Sequence, residues 1–112
     1  MAARGNDAAA ADLFERAAGL DPDYLAAWVS AGEMRAKQGQ FDLAIAYFRT
    51  ALQINPDLAR VHKILGDALR RQGKSRAAIG HYREVLRVHP DDAETRAALD
   101  ELLPSRRPGE TN

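Results

Sequence analysis

The chain has 112 residues, 46% apolar and 29% charged, which suits one soluble folded domain and is too apolar for a disordered chain. Sixteen Lys and Arg balance sixteen Asp and Glu, whereas a protein that works by neutralising phosphates carries a basic excess, so nucleic acid is not an expected partner. The absence of cysteine excludes disulfides, thiolate metal sites and a cysteine nucleophile.

No apolar run approaches the roughly 20 residues that a bilayer-crossing helix needs, so no membrane partner is expected. Residues 1–11 contain no Leu/Ile/Val-rich stretch of the kind a signal peptide requires. The expected location is the cytoplasm.

In chain order, a first helix is predicted over residues 7–19, ahead of Pro22. A second runs over 24–38 and ends at Gly39, since Gly tolerates the positive φ found just past a helix end. The third, 41–54, carries Leu43 or Ala44, Tyr47 or Phe48, Ala51 and Ile54 at steps of three and four, an apolar stripe on one face. Pro56 stops it, and Asp57 is placed to open the next helix at the positive end of its dipole. The pattern then recurs: a helix over about 58–72, Gly73, another over about 75–88, and Pro90. A last helix spans 92–103, and residues 104–112 read as a disordered tail.

The recurrence is a repeat with a 34-residue period. Residues 25–58 laid over 59–92 without a gap put Gly32 on Gly66, Gln38 on Gln72, and Gly39 on Gly73. Ala44, Ile45, Arg49, Leu52, Pro56 and Asp57 fall on Ala78, Ile79, Arg83, Leu86, Pro90 and Asp91, and Phe48 meets Tyr82. Small residues mark where paired helices approach closely, and Trp28, Phe48, Tyr82 and the Leu/Ile positions fill the space between them.

A 34-residue helix–turn–helix unit with these landmarks resembles the tetratricopeptide repeat. The first copy supplies Trp28, Gly32, Ala44, Phe48, Ala51 and Pro56 of that family's pattern; the second supplies Leu65, Gly66, Ala78, Tyr82 and Pro90. Departures are His62 for Trp, Val85 for Ala, Ala31 for Leu and Arg35 for the aromatic. Counting back one period, Gly5, Ala10, Phe14, Ala17 and Pro22 match the second helix of an earlier unit. Counting forward, residues 92–103 match a first helix, but Arg96 and Asp100 stand where Trp and Gly belong. A polar helix suits the end of a stack, which must face water.

The resemblance implies an all-α, right-handed solenoid of helical hairpins over residues 1–103: a half repeat (7–22), two full repeats (25–58 and 59–92) and a capping helix (92–103). At the front, either the array continues upstream of this chain or the helix over 7–19 packs its open face, with Leu13 and Phe14, on another molecule such as a second copy.

The family's usual use of such a stack is to hold an extended peptide or partner helix against the first helices of its hairpins. Those positions are Val29, Glu33 and Lys37 in the first copy, with Ala26 and Ser30, and Arg60, Lys63, Ile64, Asp67, Arg70 and Arg71 in the second. Glu94, Ala97 and Glu101 follow on the last helix. The basic residues are candidates for an acidic partner, with Val29 and Ile64 as apolar contacts. The alternative is a solvated face whose charges pair locally with Glu33, Asp67, Glu94 and Glu101. Family members that grip chaperone tails use a Lys/Asn clamp, and the matching positions here, Val29, Glu33, Ile64, Glu94 and Ala98, do not carry it.

No enzyme, metal or cofactor is expected. His62, His81 and His89 lack metal-ligand spacing, and His62 fills a packed aromatic slot. Gly73-Lys74-Ser75 ends like a phosphate loop, but Ala68 stands where the loop needs Gly. Ser30, Ser75 and Ser105 have no patterned His and Asp companions. Glu33 and Asp67 as a catalytic pair would need an enclosed site, which an open groove does not offer. The functional expectation is a protein-interaction module. The alternatives are self-assembly through the front helix, or a regulatory piece of a larger protein.

Overall fold

The computed structural model describes residues 2–104, with side chains described from Ala8 onward; the tail beyond Pro104 and the Gly5 match lie outside what can be described. The described residues form helices and no strands: α1 (Ala2–Leu20), α2 (Leu25–Lys37), α3 (Phe41–Ile54), α4 (Ala59–Arg71), α5 (Ser75–Val88) and α6 (Ala93–Leu102). Successive helices pack on one another, α2 with α3 and α4 with α5 as hairpins. The result is elongated, 56 × 31 × 21 Å with a radius of gyration of 16.2 Å, where a compact domain of this size has about 13 Å. α1 starts five residues before the helix that the sequence pattern predicts.

Each hairpin turns on one glycine. Gly39 and Gly73 both take φ of 78°, a conformation that L side chains rarely adopt. The N–H of Gln40 reaches the Arg35 carbonyl at 2.9 Å and that of Gly39 the Ala36 carbonyl at 3.0 Å; Lys74 and Gly73 repeat this on Leu69 and Arg70. This paired closure satisfies carbonyls that the helix end leaves open. Among the starts of α2 to α6, only that of α6 has a side-chain cap, the Asp92 carboxylate accepting from the Thr95 N–H at 3.2 Å. Asp57 lies one residue ahead of the α4 cap position, held by Leu58, and pairs instead with Arg87 at 2.5 Å.

Two other glycines set how closely the hairpin helices approach. A methyl group on Gly32 would lie 2.7 Å from Cε1 of Phe48, and one on Gly66 would lie 2.5 Å from Cε1 of Tyr82. Each ring is thus seated on bare backbone of the facing helix. Around these contacts Ala44, Ile45, Phe48, Val61, Leu65, Leu69, Ala78, Tyr82 and Leu99 make one continuous core.

The half repeat is fastened differently. Ala11 and Ala18 of α1 are buried, and between them Glu15 accepts two bonds from Arg35, at 2.9 Å from Nε and 2.6 Å from Nη2. Asp12 takes a third at 3.1 Å, and the Tyr47 hydroxyl donates to Glu15 at 2.5 Å. Arg35 stands where the repeat pattern has an aromatic, so a charged clasp ties α1 to both helices of the first hairpin. The Arg35 guanidinium holds the Glu15 carboxyl below its usual range, against a smaller opposing effect of burial. Burial, reinforced by Glu15, pushes the Tyr47 hydroxyl up to about 12.

Three outcomes follow from this packing. Gly66→Ala forces the Tyr82 ring to move and is expected to cost about 1–3 kcal/mol. Gly80→Ala, inside α5 with nothing within 4 Å of the added carbon, is expected to stabilise by about 0.5–1 kcal/mol; urea unfolding of both variants checks the opposite signs. Glu15→Gln removes charge-assisted bonds that contribute about 1.5–3 kcal/mol. Because the folded state lowers the Glu15 pKa, that stabilisation is present above the ordinary carboxylate range and is lost as pH falls through the folded pKa. The stability difference between wild type and Glu15→Gln, measured from neutral to acid pH, is therefore expected to shrink.

Candidate functional site

The first helices of the two hairpins and the last helix, α2, α4 and α6, stand side by side, and ionic contacts stitch their outer face. Arg60 on α4 pairs with Glu33 on α2. Lys63 pairs with Glu94 on α6 and lies 3.7 Å from Asp92 at its cap. Arg70 reaches Glu101 at 3.2 Å. The Lys63 ammonium is held above its usual pKa, mainly by its bond to Glu94.

Two clefts run between these helices. The one between α2 and α4, about 270 Å³, is lined by Leu25, Ala26, Val29, Ser30, Leu58, Arg60 and Val61 and is mainly apolar. The one between α4 and α6, about 350 Å³, is polar and carries both signs of charge, from Lys63, Asp67, Arg70, Glu94 and Glu101. Tyr82 and Thr95, both fully buried, also line it. The Tyr82 hydroxyl donates to Asp67 at 2.5 Å, so the ring that fixes the α4–α5 spacing also positions a carboxylate in the cleft. Burial, and then the Asp67 carboxylate, push the Tyr82 hydroxyl pKa up.

The residues singled out from sequence therefore divide. Val29 lines the apolar cleft with Arg60 at its rim, while Lys63, Asp67 and Arg70 line the charged one. Ile64 is half-buried against the core and lines neither cleft. Lys37 and Arg71 are exposed and make no ion pair among the described residues. Glu33 faces Arg60 rather than Asp67, whose bond goes to Tyr82. Leu25, Leu58 and Val61 of the apolar cleft were missed because they read as helix-start and core positions. Their signal lay in being the apolar residues nearest the starts of two adjacent first helices.

The front helix presents a separate feature. Leu13 is 62% exposed, Leu20 is 88% exposed, and Phe14 is half-buried. With half-buried Ala10 and Ala17 they form one stripe along α1, beside the face that buries Ala11 and Ala18. Leu20 was missed because it sits in the stretch read as a turn, although it continues the three- and four-residue spacing.

Among the described residues no group of three or more His, Asp or Glu is arranged to hold a metal ion. No described helix is long and apolar enough to cross a membrane.

Solved structures of the same fold include SycD, a type III secretion chaperone of Yersinia enterocolitica, in complex with a peptide of the translocator YopD. It is 18% identical, with 88% of this chain and 80% of that one covered, at a TM-score of 0.80. The first TPR of Spaghetti (RPAP3), bound to the HSP90 peptide SRMEEVD, is 19% identical over 88% of this chain and 78% of its own, also at 0.80. MamA is 25% identical at a TM-score of 0.73, over 80% of this chain; this chain spans 52% of the MamA chain. Curated proteins give no match to the sequence. The family model described as tetratricopeptide repeat matches residues 23–91, more than half of the 112, and with the ring-on-glycine hairpins the chain belongs to the tetratricopeptide repeat family.

Proposed function

We propose that the face of α2, α4 and α6 holds an extended segment of another protein, in a non-catalytic interaction. The observation that carries this reading is the pairing of an apolar cleft with a charged one on a single face. One cleft takes an aliphatic side chain, and the other offers donors and acceptors to a polar neighbour. The charged cleft, about 350 Å³, is within the size range of ligand sites, about 300–1,000 Å³, and the apolar one, about 270 Å³, lies just under it and suits a single side chain. Two of the similar structures, SycD and the first TPR of Spaghetti (RPAP3), are complexes with peptides, which supports a peptide occupant here.

Charge decides what kind of peptide fits. Lys37, Arg60, Lys63, Arg70 and Arg71 are matched on this face by Glu33, Asp67, Asp92, Glu94 and Glu101, so the groove has no basic excess. Most of the pairs are solvent-exposed, with Arg60 at 69% and Glu94 at 78% side-chain exposure, and such pairs contribute about 0–1 kcal/mol. They hold the long side chains extended at little cost, and a carboxylate on the partner exchanges for Glu33, Glu94 or Glu101. An acidic group beside an aliphatic residue is the preferred ligand chemistry, and a uniformly acidic tail is a poor one.

A second reading rests on α1. The exposed Leu13 and Leu20 beside half-buried Phe14 give that helix a stripe suited to a second copy of the chain.

The test is selection of binding peptides from a displayed random library. Their affinity is then compared by fluorescence polarisation between wild type, Val29→Glu and Lys63→Glu. Each substitution is expected to weaken the selected peptides at least tenfold, about 1.4 kcal/mol, with thermal unfolding essentially unchanged. Equal affinity for all three chains sinks the groove reading. For the second reading, sedimentation velocity over a wide concentration range is expected to show association that Leu13→Asp/Leu20→Asp abolishes; a monomer at every concentration removes it.

A further inference from the structure

The contact between α4 and α6 shows how charge lets one helix of this molecule recognise another. Lys63 and Arg70 stand seven residues apart on α4, two turns or about 10.5 Å along the helix. They meet Glu94 and Glu101, also seven apart, on α6. The same cationic spacing recurs on α5, at Arg76 and Arg83, and among the described residues no helix answers it.

Arg76, Gly80, Arg83 and Arg87 follow one another at steps of four, three and four. Those steps put them on one line of α5, opposite the buried Ala78, Tyr82 and Val85. Arg76 and Arg83 are exposed and make no ion pair among the described residues. The acidic residue of α5, Glu84, goes to Arg87, which also takes Asp57. One period earlier the same line of α3 reads Asp42, Ala46, Arg49 and Gln53, so stacking of the repeats does not require the arginines. Nor does the helix itself. α5 has no acidic residue in its first turn and has Lys74 at its cap position, so Lys74 and Arg76 lie at the positive end of its dipole, where cations are unfavourable.

Gly80 sits in the middle of this line. Glycine is a poor residue for an exposed helix interior, and a methyl group there has nothing within 4 Å. Gly32 and Gly66, the glycines inside α2 and α4, each carry a ring of the facing helix. Gly80 offers the same bare backbone with no ring on it, between two arginines that lack partners.

We propose that the outer face of α5 docks an acidic helix of another protein. Carboxylates seven residues apart on that helix pair with Arg76 and Arg83 as Glu94 and Glu101 pair with Lys63 and Arg70. A large apolar side chain between them rests on Gly80. A nucleic acid or an anionic bilayer makes use of the arginines but not of the seat between them. Arg76, Gly80 and Arg83 line neither cleft of the groove, so this surface stands whether or not the groove binds a peptide.

The probe is a fluorescent, alanine-rich peptide of about 20 residues, long enough to hold a helix, with two Glu seven apart and a Phe midway. A control peptide of the same composition carries its two Glu on opposite faces. Fluorescence polarisation at about 0.15 M salt compares wild type with Arg76→Glu/Arg83→Glu, Gly80→Ala and Lys63→Glu. Wild type is expected to prefer the matched peptide, and the double charge reversal to weaken that binding about tenfold, the combined effect of two exposed ion pairs. Gly80→Ala is expected to weaken it severalfold while raising Tm, the opposite of what damage to the fold does; Lys63→Glu is expected to leave it unchanged. No binding by wild type, equal affinity for the two peptides, or a loss confined to Lys63→Glu overturns the proposal. Tighter binding of a single-stranded oligonucleotide or of phosphatidylserine vesicles, unaffected by Gly80→Ala, overturns the helix as occupant.

Discussion

The contact on which the rest of the molecule depends is a ring pressed on bare backbone: Phe48 on Gly32 and Tyr82 on Gly66. Because no Cβ intervenes, the helices of each hairpin approach closely, and the buried Ala44, Ala51 and Ala78 let that closeness extend along the facing helix. Hairpins of matching thickness stack with their first helices in register. Only in that register do Arg60 and Glu33, or Arg70 and Glu101, fall within reach of each other across adjacent helices. The shape of the outer face is thus set from underneath. Tyr82 does both tasks at once, since its ring fixes the α4–α5 spacing and its hydroxyl holds Asp67 in the cleft.

A repeat array also shows which parts of a unit are exchangeable. Arg35 occupies the position that Leu69 fills one period later with an apolar, fully buried side chain. The guanidinium is accommodated because α1 brings Glu15 and Asp12 to it, whereas the helix preceding α4 offers Arg49 at the place of Glu15. The two substitutions belong together: an arginine at position 69 would meet like charge, and a leucine at position 35 would leave Glu15 half-buried without its main partner. The Trp28–Tyr47 and His62–His81 pairs obey the same logic. Trp28 Nε1 lies 2.8 Å from the Pro22 carbonyl oxygen and His62 Nε2 2.8 Å from that of Pro56, and each sets its ring at a tilt against a second one, with centroids 5.6 and 5.3 Å apart.

Much of this was legible in the sequence, and the reason is that period and punctuation are local. Gly39, Gly73, Pro56 and Pro90 mark the hairpins, and the predicted and observed bounds of α2 to α6 differ by at most one residue at each end. α1 was predicted short because nothing in Ala2–Asn6 carries an apolar stripe. The candidate face was only partly legible. First-helix periodicity finds which residues point outward, and it found Val29, Arg60, Lys63, Asp67 and Arg70. It names Glu33, Glu94 and Glu101 only as a set of possible partners; which cation meets which carboxylate, 27 residues away for Arg60–Glu33 and 31 for Arg70–Glu101, is decided by how the helices stand in space. The Arg35–Glu15 clasp was invisible for the same reason, since a repeat comparison registers Arg35 only as a departure from an aromatic.

The same rules make the two ends of the array unlike. At α6 the positions that face a following second helix are Arg96 and Asp100, both exposed. A ring seated as Phe48 is seated on Gly32 would collide with the Asp100 Cβ, as it would with any side chain there, and would bring the carboxylate into an apolar contact without a partner. A ring seat of the kind that Gly32 and Gly66 offer is thus missing from α6. The α1 end carries no such obstacle. Phe14 and Ala17 stand at the positions of Phe48 and Ala51, and Leu13 and Leu20 extend the stripe into solvent, so a first helix with glycine at the matching position would find the ring ready. The two end helices thus present different surfaces, exposed Leu13 and Leu20 beside Phe14 on α1 and exposed Arg96 and Asp100 on α6, and the second differs from α2 and α4 by one aspartate in place of a glycine.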